Sequence, residues 1–216
     1  MEIITIGQSK MMVTPDKIGI NINFQNRSKS YEEALQKGTR SINEFIEQVL
    51  IPLGFTKNDL KTNNIGIREE KRYDNNTNTY EIIDYIFENN SLLEFPYDKD
   101  LLTLYLKQVS TLTNPPFFNI DFNLENEEFY KKQLIEKAYQ DALEKAEIIA
   151  NTVNKKIKEI LKVSYEPLNQ EFSSRTSLNS EQIMYTNYNN IDSFVNYLTP
   201  LDIEIEITLN YLFQAE

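Results

Sequence analysis

Apolar and polar residues alternate with a period of two over several stretches of the chain, the signature of strands with one buried face. The longest run lies near the C-terminus. Leu201, Ile203, Ile205, Ile207, Leu209, Tyr211 and Phe213 fill every odd position there, and the even positions are mostly acidic or polar. Ile18, Ile20, Ile22 and Phe24 repeat the alternation just after Pro15, whose missing N–H does little harm at the beginning of a strand. Phe118, Ile120, Phe122 and Leu124 repeat it once more, behind the breaker of Asn114, Pro115 and Pro116. A short first strand is predicted over 3–7 and another over 157–165. Residues 61–73 and 80–95 read as two long strands around the polar tip 74–78, with sequence DNNTN.

Three helices separate these strands. Ser30 and Glu33 form a capping box before Ala34, Leu35, Ile42, Phe45, Ile46 and Val49, which recur at helical spacing until Pro52 and Gly54 end the run. Asp98 can cap a second helix carrying Leu101, Leu102, Tyr105 and Val109. The third and longest, from Asn126 to about Thr152, has Ile135, Ala138, Ala142, Ile149 and Val153 along one side. Its small alanines let it lie close to a sheet. Residues 166–199 are polar, rich in Ser, Asn and Tyr, and show no sustained period, which predicts a variable, flexible loop.

The predicted order is β-β-α-β-β-α-β-α-β-β. One-faced strands need helices on that face, so the expectation is an α+β fold: a mostly antiparallel sheet of long strands, three helices packed on it, and a projecting β-hairpin. The 216 residues are expected to form a single domain, 1–216, or two intertwined α/β lobes over about 1–95 and 96–216.

Charge and composition narrow the chemistry. A net charge of −11 disfavours phosphate backbones and anionic membranes, so neither nucleic acid nor a membrane is an expected partner. The pairs Lys131–Lys132 and Lys155–Lys156 read as solvated helix faces. Cysteine and histidine are both absent, so disulfides are impossible and metal sites lose their usual zinc, haem and iron–sulfur ligands. Ser-His-Asp and Cys-His catalysis are excluded by the same count. The N-terminal MEIITIGQSK lacks the features of a signal peptide and no apolar run approaches 18 residues, so the expected location is the cytoplasm.

Several segments together resemble the SIMPL domain family, long catalogued as a domain of unknown function. The stretch ITIGQSKMMVTPDKIGINI carries Gly7, Val13, Pro15 and Asp16 where the family has a short strand, a Gly and a V-x-P-D turn. LGFTKNDLKTNNIGI carries Gly54, Asp59, Thr62 and Asn63. KAYQDALEKAEIIA matches the family's K-A-x-x-D-A-x-x-K-A-E-x-x-A at Lys137, Ala138, Asp141, Ala142, Lys145, Ala146, Glu147 and Ala150. The likeness runs from Ile3 to Phe213. Gln8, Lys10 and several asparagines stand where glycines are typical of the family. The resemblance implies links to bacterial oxidative-stress protection, to cell-surface antigens and to oligomer formation. It carries over no catalytic residue.

The remaining candidates are weighed from the residues themselves. Asp74, Asn76 and Asn78 imitate the start of a calcium loop, but Thr79 and Tyr85 stand where Gly and Glu are needed, so the tip reads as a plain turn. No metal or cofactor is expected. Asp202, Glu204 and Glu206 read as a solvated sheet face rather than as acid–base machinery, and no catalytic residue is assigned. Tyr185, Tyr188, Phe194 and Tyr197 are candidate loop contacts to a ligand or protein partner. On the hairpin, Tyr80, Ile82, Ile83, Tyr85, Ile86 and Phe87 place apolar groups on both faces of a strand roughly 50 Å long, more than a compact domain of this size covers. These six are the candidate interface of a homo-oligomer. The expected function is a non-enzymatic binding or assembly module. The alternative is an enzyme using carboxylate and tyrosine acid–base chemistry on a small substrate.

Overall fold

A computed structural model describes residues 1–75, 77–165, 173–180 and 190–216. Its elements are β1 (Glu2–Val13), β2 (Lys17–Ser28), α1 (Tyr31–Phe45), β3 (Leu60–Asp74), β4 (Thr79–Pro96), α2 (Lys99–Ser110), β5 (Phe117–Asn123), α3 (Glu127–Thr152), β6 (Ile157–Tyr165), β7 (Ser173–Asn179), α4 (Ile191–Tyr197) and β8 (Ile203–Ala215). The fold is α+β with antiparallel sheets, and among the described residues it has four α-helices where the sequence pattern predicts three. One sheet has the order β1-β8-β6 and the other β3-β4-β2-β5-β7. Among the described residues no helix is long and apolar enough to cross a membrane.

The chain divides into two compact units. The first comprises Met1–Pro15, Asn123–Arg175 and Leu201–Glu216, and the second comprises Asp16–Phe122 and Thr176–Pro200.

In the first unit β8 is central. Its odd residues Ile203, Ile205, Ile207, Leu209, Tyr211, Phe213 and Ala215 are buried. Leu201 precedes the strand and is exposed, a correction of one residue pair to the predicted face. β1 pairs with β8 from Glu2↔Gln214 to Val13↔Ile203, so it runs well past the predicted 3–7. The alternation was hidden because the inward positions Thr5, Gly7 and Ser9 are small or polar. They are small because α3 lies against them.

The face that α3 buries is Leu134, Ala138, Ala142, Ala146 and Ala150, an i, i+4 stripe. Ile135, Ile149 and Val153, expected on that face, are exposed. Proximity to the sheet explains the exchange: a helix resting on a strand at backbone distance has room for methyl groups but not for isoleucine. Gly7 marks the closest point. A Cβ built there would lie 2.0 Å from the Ala138 carbonyl oxygen and 3.0 Å from the Ala142 Cβ.

In the second unit α1, α2 and α4 share a core with the sheet. Ile18, Ile20, Ile22, Phe24, Leu93, Phe95, Phe118, Ile120 and Phe122 point into it. Phe45 of α1 meets Phe24 edge-on at 5.3 Å, and Tyr105 of α2 meets Phe118 at 5.7 Å. Ser30 Oγ accepts the Glu33 N–H at 3.2 Å, one half of the expected capping box, while the Glu33 carboxylate pairs with Lys37 instead; Asp98 Oδ1 accepts from Asp100 and Leu101, as expected of a cap. α1 continues as a π-helical turn over Ile46–Leu50, and the chain then turns at Gly54 with φ 87°. Leu35, placed on the inner face by spacing, is exposed, whereas Ala34 and Gly38 are buried.

Two elements, β7 and α4, lie in the 166–199 stretch that reads as a loop. α4 forms because Ile191 and Val195, one helical turn apart, both bury in the second unit's core. Lys107 holds Asp192 of its first turn at 2.6 Å.

Candidate functional site

The long hairpin follows its predicted limits closely, and its pairing shows where it leaves the sheet. β4 pairs with β2 from Lys17↔Pro96 to Ser28↔Tyr85, and β2 ends there. β4 continues to Thr79 with β3 alone, down to Asp74↔Thr79. Residues 70–74 and 79–84 are therefore a two-stranded ribbon beyond the five-stranded sheet. A two-stranded ribbon has no third strand to complete its ladders and buries little surface on its own.

The base of the ribbon is clamped. Arg27 reaches Glu70 at 3.0 Å and Asp84 at 4.0 Å, and Lys29 reaches Asp84 at 3.0 Å. A β-bulge between Glu70 and Lys71 of β3 leaves Ile83 opposite no residue, and Lys29 Nζ donates to its carbonyl at 3.0 Å. Tyr31 packs edge-on against Tyr85 at 6.2 Å. Toward the tip, the Tyr73 and Tyr80 rings meet at 5.1 Å, and Asn78 makes the turn with φ 58°, donating its N–H to the Asp74 carbonyl at 2.9 Å. Asp74 and Asn78 of the calcium-like stretch thus shape a turn. Asn76 lies outside the described residues.

Of the six candidate interface residues, Tyr80 and Ile82 are exposed and Ile83 and Tyr85 half-buried. Ile86 and Phe87 are buried. They sit inward of the point where β2 joins, and Phe87 covers Gly38 of α1, where a Cβ would come within 2.2 Å of its ring. The surface offered by the hairpin is therefore Tyr73, Tyr80 and Ile82, with Ile65 further along β3. Gly38 is the residue that sequence reasoning overlooked. Its signal is a second small residue one turn after Ala34.

The two sheets treat their outer strands differently. β1 is an end strand of its sheet, and α3 occupies its open side. Asp141 Oδ2 accepts the Gln8 N–H at 2.8 Å, while Lys145 Nζ donates to the Ile6 carbonyl at 3.0 Å and to Asp141 at 2.6 Å. On the inner face the Thr5 hydroxyl donates to the Ala142 carbonyl at 3.0 Å, and the Ser9 hydroxyl to the Leu134 carbonyl at 2.7 Å. β3 is likewise an end strand, and no helix side chain caps its open edge in this way among the described residues.

The SIMPL family model, described as a protein of unknown function (DUF541), matches residues 3–206. The chain belongs to the SIMPL family. No curated protein gives a match. The alanine-rich motif that carries the SIMPL resemblance now has a physical content: its alanines allow the close approach to β1, and its Asp141 and Lys145 satisfy that strand's outward N–H and C=O.

Lys145 and the Gln8 N–H together hold the Asp141 carboxyl below the usual aspartate value of 3.8. A depressed folded pKa favours the charged, folded form. Its contribution is present above the unfolded value and is lost as pH falls through the lowered one. Asp141→Asn should therefore cost less than about 1 kcal/mol at pH 7, because the pair is partly solvated. It should also flatten the loss of stability on acidification below about pH 4. Urea melts of both proteins between pH 7 and 3 measure this; parallel curves would remove Asp141 from the account.

The other candidates fall into place one by one. Asp202 accepts a hydrogen bond from the Thr14 hydroxyl at 2.8 Å, and Glu204 pairs with Lys10 at 2.7 Å, so the acidic row is a solvated face matched by β1. Phe194 is half-buried against the second unit's core, and Tyr197 is exposed. Tyr185 and Tyr188 lie outside the described residues. Among the described residues the buried polar residues are Thr5, Ser28, Asn89, Ser91, Ser174 and Ser180; no acidic residue or lysine is buried as a whole, although Glu70 Oε2 is shielded from solvent. Tyr105 is buried between Phe45 and Phe118, its phenol pushed up by burial, and its hydroxyl has no partner among the described residues.

Proposed function

We propose that this SIMPL protein is a non-enzymatic assembly module that self-associates through the outer hairpin. The observation that carries the reading is the ribbon itself: residues 70–74 and 79–84 leave the sheet with Tyr73, Tyr80 and Ile82 exposed on it. An exposed edge with apolar side chains is an association site unless something blunts it. Side chains of α3 occupy the edge of β1, and the edge of β3 has no such cover among the described residues. Assembly is non-covalent, since the chain has no cysteine. A link to stress protection, implied by the family resemblance, belongs to the same proposal, with the assembled form as the active one.

Light scattering coupled to gel filtration tests it. The expected species at tens of micromolar is a dimer or larger, and Tyr80→Lys with Ile82→Lys should dissociate it without changing the melting temperature. A strict monomer of 25.4 kDa would refute assembly. An oligomer that survives the double substitution would refute this interface.

A further inference from the structure

The face of the five-stranded sheet turned away from its helices has an unusual chemistry. Ile22, Phe24, Phe118 and Ile120 point into the core, so Asn21, Asn23, Phe117, Asn119 and Asp121 point outward by strand alternation. Asn23 stands opposite Asn90 of β4, and Asn90 stands opposite Asn64 of β3, a level row across three strands. Asn119 of β5 and Asn179 of β7 join Asn21, Asn23 and Asn90 around a shallow depression of about 370 Å³, with Phe117 at its side. Asparagine is depleted in strands, where β-branched and aromatic residues fit better. A cluster on one solvated sheet face is therefore a cost that sheet formation does not explain.

The hydrogen bonds within the cluster use only part of its capacity. Asn23 Nδ2 donates to Asn90 Oδ1 at 2.6 Å, and Asn21 Nδ2 donates to Asp121 Oδ2 at 2.9 Å. These bonds orient the side chains. Each amide has two N–H donors and a carbonyl acceptor, so Asn23 keeps an acceptor and Asn90 keeps its two donors.

We propose that this depression binds a neutral oligosaccharide. Each hydroxyl of a pyranose both donates and accepts, and a row of amides offers both functions at strand spacing, about 4.8 Å. Phe117, 53% exposed, presents an aromatic face on which the C–H side of a sugar ring can lie. Charge selects against other ligands. Among the described residues no cation lines the depression, so an anionic ligand finds no countercharge from them and meets a chain of net charge −11. Among the described residues the lining carries no carboxylate, and the neighbouring Asp121 is engaged by Asn21, so a cationic ligand gains little from them.

The full-length chain is screened on an array of neutral oligosaccharides, with oligogalacturonate as the anionic control, and hits are measured by saturation-transfer NMR. The expected result is binding of neutral sugars and not of the control. Phe117→Ala, Asn90→Ala and Asn119→Ala should each weaken it about three- to tenfold at unchanged melting temperature, the scale of one neutral hydrogen bond or ring contact. Binding should persist in the Tyr80→Lys, Ile82→Lys protein, which separates this site from the assembly surface. No binding to any neutral sugar, stronger binding of the polyanion, or variants that leave sugar affinity intact would each overturn the proposal. Variants that change only the oligomeric state would assign the face to a second copy of the chain.

Discussion

Gly7→Ala is expected to lower the melting temperature more than any other single methyl added to this protein. The new Cβ would meet the Ala138 carbonyl oxygen at 2.0 Å, well inside van der Waals contact. That oxygen is backbone, part of the longest helix, and cannot rotate away. α3 is also tied to β1 by hydrogen bonds from Thr5, Ser9 and Lys145, so lifting the helix breaks these as well. Overpacking of this kind costs typically 1–3 kcal/mol, and here the upper end or beyond is expected, since no side chain can yield. For a chain of this size about 3 kcal/mol corresponds to roughly 6–12 °C. Gly38→Ala is the informative contrast. Its Cβ would strike the Phe87 ring, a side chain, at 2.2 Å. Phe87→Leu should therefore recover part of the loss in the Gly38→Ala protein, whereas Ala142→Gly should recover little of the loss in the Gly7→Ala protein. Circular-dichroism melts of the four proteins decide it. Equal rescue in both pairs would mean that α3 is free to move off β1.

Ile205→Asp should leave no soluble folded protein. Ile205 is 1% exposed, the second residue of the inward row of β8. The substitution forfeits about 1.5–3 kcal/mol of apolar burial and places a carboxylate where no cation or donor awaits it, a further cost of several kcal/mol. Its neighbour is the control. Glu204 faces solvent in an exposed pair with Lys10, so Glu204→Gln should cost about 0–1 kcal/mol. Soluble yield and thermal melts of the two proteins measure the difference. Similar behaviour in both would mean that the inward and outward faces of β8 have been exchanged.

Strand and helix positions were legible wherever large apolar residues marked a face. The limits of the hairpin strands and the run of α3 follow the pattern closely, because turns and caps at Asn78, Asp98 and Asn126 punctuate them. The inner face of α3 was not legible. Periodicity favours Ile135 and Ile149, yet a helix this close to a strand selects the alanines. The same close approach hid the second half of β1 behind Gly7 and Ser9. Ile86 and Phe87 show a different limit: consecutive apolar residues reveal that both faces of a strand are apolar but not whether a neighbouring strand and helix cover them. α4 rests on two apolar residues in a polar stretch, too short a run to have a period. The asparagine face is not legible in the sequence because Asn64, Asn90, Asn119 and Asn179 come from separate strands, which only the sheet order brings side by side.

The pairing of Glu2 with Gln214 places the two strands at the heart of the first unit at opposite ends of the sequence. As the polypeptide leaves the ribosome, β1 emerges with Ile3, Ile4, Ile6, Met11, Met12 and Val13 uncovered and must wait until β8 has followed, and it meets α3 only after the whole Asp16–Phe122 segment has been made. For that interval it is a sticky strand without a mate, and long-range closure of this kind is slow. Gln8, Ser9 and Lys10 in place of larger apolar residues make the waiting strand less adhesive, and in the finished fold the same three residues bond to α3 and β8.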